Sequence, residues 1–183
     1  MGLQIEDGTG SGKQAKVDDQ NRIATIATVT PRISSVSMNH GEAYVWTAYV
    51  DWGADKNALW LRNDSNSMRL FIDRISVTPA AAAVVEVWVG NGNTVGGTVV
   101  TGVNLNRASG KTADATCRHT NTNVDAGAGM TLLLTDHIPA TTISHIEFYG
   151  ALVMGVNREI ALNIVTDVGA TAVNIFGYFH EDE

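Results

Sequence analysis

The sequence predicts an all-β fold, an antiparallel β-sandwich of the jelly-roll kind, with a small barrel as the nearest alternative. About nine to eleven short runs are rich in β-branched and aromatic residues and are separated by Gly, Asn and Pro, which is typical of sandwiches. The clearest are three consecutive alternating segments at residues 143–154, 158–166 and 171–179. Apolar residues do not recur at helical spacing over several turns, so little helix is expected.

The expected centre of the sandwich is a hairpin in the first half of the chain. Residues 57–62 and 68–78 form two apolar runs, and the polar residues 63–67 between them favour a turn because their side chains bond their own backbone. The apolar residues of the second run change parity near Asp73 and Arg74. This change predicts either a strand covered on both faces or a β-bulge at that point, and we predict that the second run is a central strand.

The remaining strands are predicted from the same alternation and from the prolines. Residues 43–50 alternate with aromatic side chains on both faces, and residues 85–89 and 130–135 form two further apolar runs. Pro31 interrupts a β-prone run, and residues 33–38 are expected to resume as an edge strand. Each of these segments has the length of one strand of a sandwich.

The polarity of the chain predicts two departures from this regular body. Residues 1–22 hold few apolar side chains and a Gly/Ser/Thr run, so they are predicted to form an extended N-terminal arm or a short hairpin. Residues 23–183 are predicted to form the β-sandwich body. Within the body, polar residues dominate near 98–129, which predicts a long loop, and such loops are usually functional or contact a neighbour.

The composition excludes several classes of protein. The 183 residues suit one domain with a substantial core, since 44% are hydrophobic and 17% are charged. The net charge is -7 and the cations are scattered singly, so nucleic-acid binding is not expected. No apolar run approaches the roughly 18 residues of a membrane span. The single Cys117 excludes an internal disulfide, which is consistent with a reducing cytosol.

No motif in the sequence predicts catalysis or a cofactor. Residues 8–13 look like a phosphate loop, but they lack the Gly and the Ser or Thr that the fingerprint requires, and no helix is expected after them. There is no Gly-x-Ser-x-Gly elbow, and Cys117 has only Arg118 as a cationic neighbour. We therefore expect no catalytic residue and no cofactor, and an enzyme is the weakest of the functional hypotheses.

Potential metal ligands occur in two places without a metal-binding pattern. Cys117 and His119 lack a second pair at zinc spacing, and none of the His residues forms an HExxH motif. Asp64, with Asn63 and Asn66, offers oxygen ligands but does not follow the calcium-loop spacing. We therefore expect no metal site.

The four tryptophans allow a second functional class, a glycan-binding module of a fibre or a secreted protein. Trp52 and Trp88 form a sugar platform if they are exposed together, and the polar segment 108–129 supplies hydrogen-bonding groups. Burial in the core or in an interface is the commoner role of Trp, and we expect it for Trp46 and Trp60 as well.

Several blocks of the sequence resemble small structural proteins of tailed bacteriophages. The blocks are spread along the chain and cover part of it in pieces: IEDGTG at 5–10, AKV at 15–17, NRI at 21–23, NHGEAY at 39–44, LWLRN at 59–63, IDRI at 72–75 and IFGYF at 175–179. The resemblance implies a virion component, most like a head decoration (cement) protein with a β-sandwich body and an extended arm. It implies no catalytic residue.

The leading hypothesis is a non-enzymatic protein that binds and stabilises the phage capsid. On this hypothesis it is made in the bacterial host cytoplasm, lies on the capsid surface of the virion, and binds the major capsid protein and other copies of itself as a dimer or trimer. A neck or tail component of the virion is the closest variant. The residues expected to contact the capsid or another copy are Leu3, Ile5, Val17, Trp52 and Trp88.

Overall fold

The computed structural model describes residues 32–52, 56–91, 96–120, 129–166 and 168–181. Within these ranges it contains one helix and eleven strands. Their bounds are α1 Arg32–Asn39, β1 Ala43–Trp52, β2 Lys56–Asn63, β3 Met68–Pro79, β4 Ala83–Asn91, β5 Thr98–Val99, β6 Val103–Asn104, β7 Ala115–Thr120, β8 Met130–Ile138, β9 Ser144–Met154, β10 Arg158–Ile164 and β11 Gly169–Glu181.

The strands form two antiparallel sheets that pack face to face. One has five strands in the order β6-β1-β11-β3-β9, and the other has six in the order β5-β7-β2-β10-β4-β8. Setting aside β5, β6 and β7, the orders β1-β11-β3-β9 and β2-β10-β4-β8 are those of a jelly roll built from two Greek keys. The prediction of an all-β, jelly-roll-like sandwich is confirmed.

The core lies between the two sheets, where alternating residues of the strands point inwards. On β1 these are Tyr44, Trp46, Ala48 and Val50, which are buried, while Thr47 and Tyr49 are exposed. The largest fully buried side chains of this core come from both sheets: Trp46, Tyr44, Phe179, Leu59, Leu61, Leu70, Ile72, Ile75, Ile138 and Ile160.

The predicted hairpin is wrong, because β2 and β3 lie in different sheets. The residues between them form an arch across the core, held by the buried side chain of Asn63. Its amide nitrogen donates to the carbonyl oxygens of Met68 (3.0 Å) and Met154 (2.9 Å), and its oxygen accepts from the backbone N–H of Ser65 (3.0 Å). Side chains that bond nearby backbone predict a change of direction but do not specify which strand is paired.

The two predictions made for β3 are confirmed. The strand lies between β11 and β9 in the middle of the five-stranded sheet. In its pairing with β11 the consecutive residues Phe176 and Gly177 are opposite Arg74 and Ile72, so Asp73 is the extra residue of a β-bulge on β3. The pairing with β9 also shifts at this point, but there the extra residues are on β9. Because of this bulge, Ile72 and Ile75 both point into the core although they differ in parity.

Residues 33–38 form most of helix α1 and not the predicted edge strand. Ile33 and Val36 lie about one turn apart on the same face of the helix, where Val36 is buried against Ala43 and Tyr178. The helix ends at Asn39, and Gly41, two residues further on, has φ of 65°. The N–H groups of His40 and Gly41 both donate to the carbonyl oxygen of Val36. The segment is helical, and not a strand as its sequence pattern predicted, because the helix buries one face on the sheet.

The predicted long loop is more ordered than expected where it is described, because it contains β5, β6 and β7. Asn104 fixes part of it: its amide nitrogen donates to the carbonyl oxygens of Gly41 (2.7 Å) and Lys111 (3.1 Å). The polar residues therefore bond the backbone. The predicted arm, 1–22, and its boundary with the body lie outside the described residues. In the described part of the chain, no helix has the length and apolar character needed to cross a bilayer.

Candidate functional site

The potential metal ligands are used structurally where they are described. Cys117 points into the core, and burial raises the pKa of its thiol, so it stays protonated. The carboxylate of Asp64 accepts from Arg62 Nε (2.6 Å) and from Thr116 Oγ1 (2.5 Å). Within the described ranges, no three His, Cys, Asp or Glu side chains are grouped so as to hold a metal ion.

The described tryptophans form no open platform. Trp46 is buried in the core, and Trp60 is buried on the outer face of the six-stranded sheet, where its Nε1 donates to Glu159 Oε2 (2.8 Å). Trp88 is half-buried, and its Nε1 donates to Glu86 Oε2 (2.9 Å). Trp88 is thus accessible only in part. The other predicted contact residues lie outside the description: this holds for Leu3, Ile5, Val17 and the side chain of Trp52.

Small residues explain how the two indoles pack on this outer face. Ala161 of β10 is directly between Trp60 of β2 and Trp88 of β4 in the cross-strand register. Its methyl group leaves room for the two large neighbours, and with Met130 they form an apolar cluster separate from the main core. Next to this cluster Asn163 is buried, and within the described part of the chain neither atom of its amide group has a hydrogen-bond partner.

The nearest approach to a nucleophile and a base is a pair that sequence analysis missed. Ser76 Oγ of β3 and His145 Nδ1 of β9 are 2.9 Å apart on the outer face of the five-stranded sheet. No carboxylate within the described residues bonds His145, and Ser76 is in a strand paired on both sides, so neighbouring amides are used in the ladders. The arrangement is that of a polar row across a sheet. The two residues are far apart in sequence, and no local spacing indicates the contact.

Exposed apolar side chains concentrate along one edge of the sandwich, which we call the β8–β9 patch. Strands β8 and β9 are the edge strands of the two sheets on the same side of the molecule, joined by a short turn. The residues of the patch are exposed to different extents, from 38% to 80%. Its members are Leu132, Leu133, Ile143, Tyr149, Val153 and Val156. Exposed apolar side chains along a sheet edge favour an interaction site.

Tyr149 is the most exposed member of the patch, with 80% of its side chain accessible. It has φ of 51° and is followed by Gly150 with φ of 77°, so two left-handed residues in succession form a bulge on β9. A Cβ on Gly150 would lie 2.5 Å from the hydroxyl oxygen of the buried Tyr178. The close contact requires glycine there, and the bulge holds the Tyr149 ring away from the sheet. Left-handed backbone at residues other than glycine is uncommon and clusters at functional sites, although Thr141 and Asn157 in turns also have it.

The opposite edge of the five-stranded sheet carries a smaller apolar area, which we call the α1–β6 patch. It consists of Met38, Val103 and Leu105, all of which are exposed. Strand β6 pairs with β1 only at Tyr44 and Val45, so most of β1 has no strand beyond it among the described residues. Both edges of this sheet therefore present apolar side chains to solvent.

Charged groups lie between these two edges on the outer face of the five-stranded sheet. The guanidinium carbon of Arg74 is 4.4 Å from the centre of the Phe176 ring, a cation–π contact. Burial raises the pKa of the neighbouring Asp73; Arg74 opposes this shift and Glu147 adds to it.

No protein-family model matches the chain, and no curated protein matches it significantly. Its fold and surface define a jelly-roll domain with apolar sheet edges.

Proposed function

We propose that the protein is a non-enzymatic structural component of a tailed-phage virion, a decoration (cement) protein that binds and stabilises the capsid. The observation that supports this best is the β8–β9 patch, because it is suited to contact with another polypeptide chain. The sequence blocks that resemble phage structural proteins point to the same class. The jelly roll is also a common fold of viral capsid domains, although it serves many functions.

Hydrophobic burial supplies the driving force for this binding. Burying one Val, Leu or Ile side chain completely contributes about 1.5–3 kcal/mol, and the members of the patch are exposed only in part. Association also costs translational and rotational freedom. Contact through the patch therefore needs further area, and we assign it to the predicted arm with Leu3, Ile5 and Val17, and to Trp52 and Trp88.

The proposed partners are the major capsid protein and other copies of this chain, in a dimer or trimer on the capsid surface. A molecule that binds only the assembled lattice stabilises that lattice by mass action. The chain is made in the host cytoplasm and joins the particle after the shell has formed. Neither a cofactor nor nucleic acid takes part in this proposal.

The experiment uses particles that lack the protein and purified full-length chains added back. Leu132 and Leu133 are replaced together by Glu, and Val99→Glu is the matched control, because Val99 is 62% exposed on β5, outside the patch. Wild type and control are expected to co-sediment with particles and to raise the temperature at which the genome is released, whereas the double variant does neither. Equal binding by all three proteins would refute the role of the patch, and deletion of residues 1–20 tests the arm separately.

A glycan-binding module is the second candidate, favoured by the exposed aromatic side chains of Tyr49 and Tyr149. Jelly rolls also occur in lectins. A glycan array probed with the intact chain separates the two functions, since a decoration protein gives no signal that depends on Tyr49 or Tyr149. Labelled protein seen by electron microscopy at the neck or tail would assign it to that part of the virion.

A further inference from the structure

We propose that copies of this chain associate head to tail, with Tyr149 of one copy inserted in a groove beside α1 of the next. The inference deepens the self-association that is part of the proposed function. It specifies two different surfaces, one on each edge of the five-stranded sheet, and the orientation of one copy relative to the next. The proposed function specifies only the β8–β9 patch.

The groove is on the side of the α1–β6 patch. It has a volume of about 310 Å³ and is lined by Ile33, Ser34, Ser37, Met38 and Leu105. A cavity of roughly 150 Å³ is large enough to hold benzene, so this groove has room for a phenol ring. Its two serines offer hydrogen-bonding groups at an otherwise apolar site, as an amphipathic tyrosine requires.

The projecting residue on the opposite edge is Tyr149. Its ring is exposed, and the left-handed bulge at Tyr149 and Gly150 fixes the direction in which it leaves the sheet. Both features lie on the same outer face: α1 packs against the buried Tyr178, and Gly150 lies next to the hydroxyl of that tyrosine. A projecting aromatic side chain and an apolar groove on opposite edges are complementary between two copies.

The strand directions fit this arrangement. β1 is antiparallel to β11, β11 to β3, and β3 to β9, so β9 is antiparallel to β1. A second copy placed beside β9 in the same orientation therefore presents the part of its β1 beyond the short β6 antiparallel to β9, which continues the pattern of the sheet, while β6 itself runs parallel to β9. A contact between unlike surfaces is heterologous, and it closes into a ring when the rotation between copies allows.

Unpaired charges of opposite sign accompany the two surfaces. On the groove side Lys111 is paired with Glu42 (2.8 Å), whereas the exposed Arg107 has no ion pair within the described residues. On the other edge Glu147, two residues before Tyr149, is exposed and also has no ion pair within the described residues. Opposite charges at the rim favour the proposed orientation over a pairing of two identical edges.

The test is a mixing experiment with two full-length variants. Tyr149→Asn removes the ring, and Asn tolerates the left-handed backbone, so the bulge is kept. Met38→Glu places a charge in the groove at a side chain that is 75% exposed, so the fold is kept. Val99→Glu on the other sheet is the control. The mass of each protein is measured by sedimentation over a range of concentrations, and circular dichroism confirms folding.

The wild type and the control are expected to form oligomers, and each variant alone is expected to be monomeric. An equimolar mixture of the two variants is expected to form dimers, because one copy retains the tyrosine and the other retains the groove. A mixture that stays monomeric, a Met38→Glu variant that still associates, or a monomeric wild type would each overturn the inference. Adding the same proteins to particles that lack the protein separates the two proposals. A wild type that is monomeric but binds the particles refutes only the head-to-tail association. A wild type that forms oligomers but does not bind the particles refutes only the capsid role.

Discussion

Removal of the Asn63 side chain is expected to destabilise the whole sandwich. Its amide group makes three hydrogen bonds of 2.9–3.0 Å, which join the end of β2 to the starts of the arch and β3 and to the end of β9. Each such bond contributes about 1 kcal/mol, and its loss leaves buried backbone groups without partners, so Asn63→Ala is expected to cost about 3–4 kcal/mol. For a domain of this size the loss lowers the melting temperature by about 10 °C.

The assay is urea unfolding followed by tryptophan fluorescence, and Asn66→Ala is the matched control. Asn66 is exposed in the same connection, so its replacement is expected to change the free energy of unfolding by less than about 0.5 kcal/mol. Asn63→Asp is expected to resemble Asn63→Ala because a carboxylate cannot donate to the two carbonyl oxygens. A loss below about 1 kcal/mol for Asn63→Ala would refute the account of the arch.

Three further predictions concern single positions. Gly150→Ala is expected to lower the free energy of unfolding, measured in urea, by about 2–4 kcal/mol, because left-handed backbone and a clash with Tyr178 combine. The control is Gly129→Ala, where φ is also 77° but the nearest neighbour of the added Cβ is 3.6 Å away, and it is expected to cost only about 1–2 kcal/mol. Equal losses for the two variants would contradict this reasoning. Asn163→Leu is expected to raise the free energy of unfolding by about 1–2 kcal/mol, since an amide without hydrogen-bond partners among the described residues is replaced by a side chain suited to burial. A destabilised variant would show that the amide is satisfied. Burial raises the pKa of the Cys117 thiol above its unfolded value of about 8.5. The free energy of unfolding is therefore expected to be unchanged below that pH and to fall above it by up to about 1.4 kcal/mol per pH unit. A Cys117→Ala variant with the same pH dependence would contradict this assignment.

Local patterns predicted the faces of the strands. The alternation in β1 places Trp46 in the core and Tyr49 outside it, and the change of parity around Asp73 locates the bulge of β3. These features depend on residues that are adjacent in sequence, and a strand with a period of two has only two faces to choose from. All-β architecture and the jelly-roll class follow from many such segments together.

Pairings between distant segments are a different matter, and they explain the wrong predictions. The polar residues after Asn63 favour a turn whether β3 returns to the same sheet or crosses to the other, and the carbonyl of Met154, far along the chain, helps to hold the arch. Helix α1 forms because Val36 meets Tyr178. Neither contact leaves a local signal.

The sequence by itself determined that this is an all-β sandwich without a recognisable catalytic motif. The proposal of a virion protein rests on the resemblance of some of its segments to phage structural proteins. Only the tertiary structure decided which strands lie at the edges, and therefore that Tyr149 and the groove beside Met38 are on opposite edges of one sheet. The physical reason is that alternation is encoded locally, whereas strand order is set by which distant faces can be buried together.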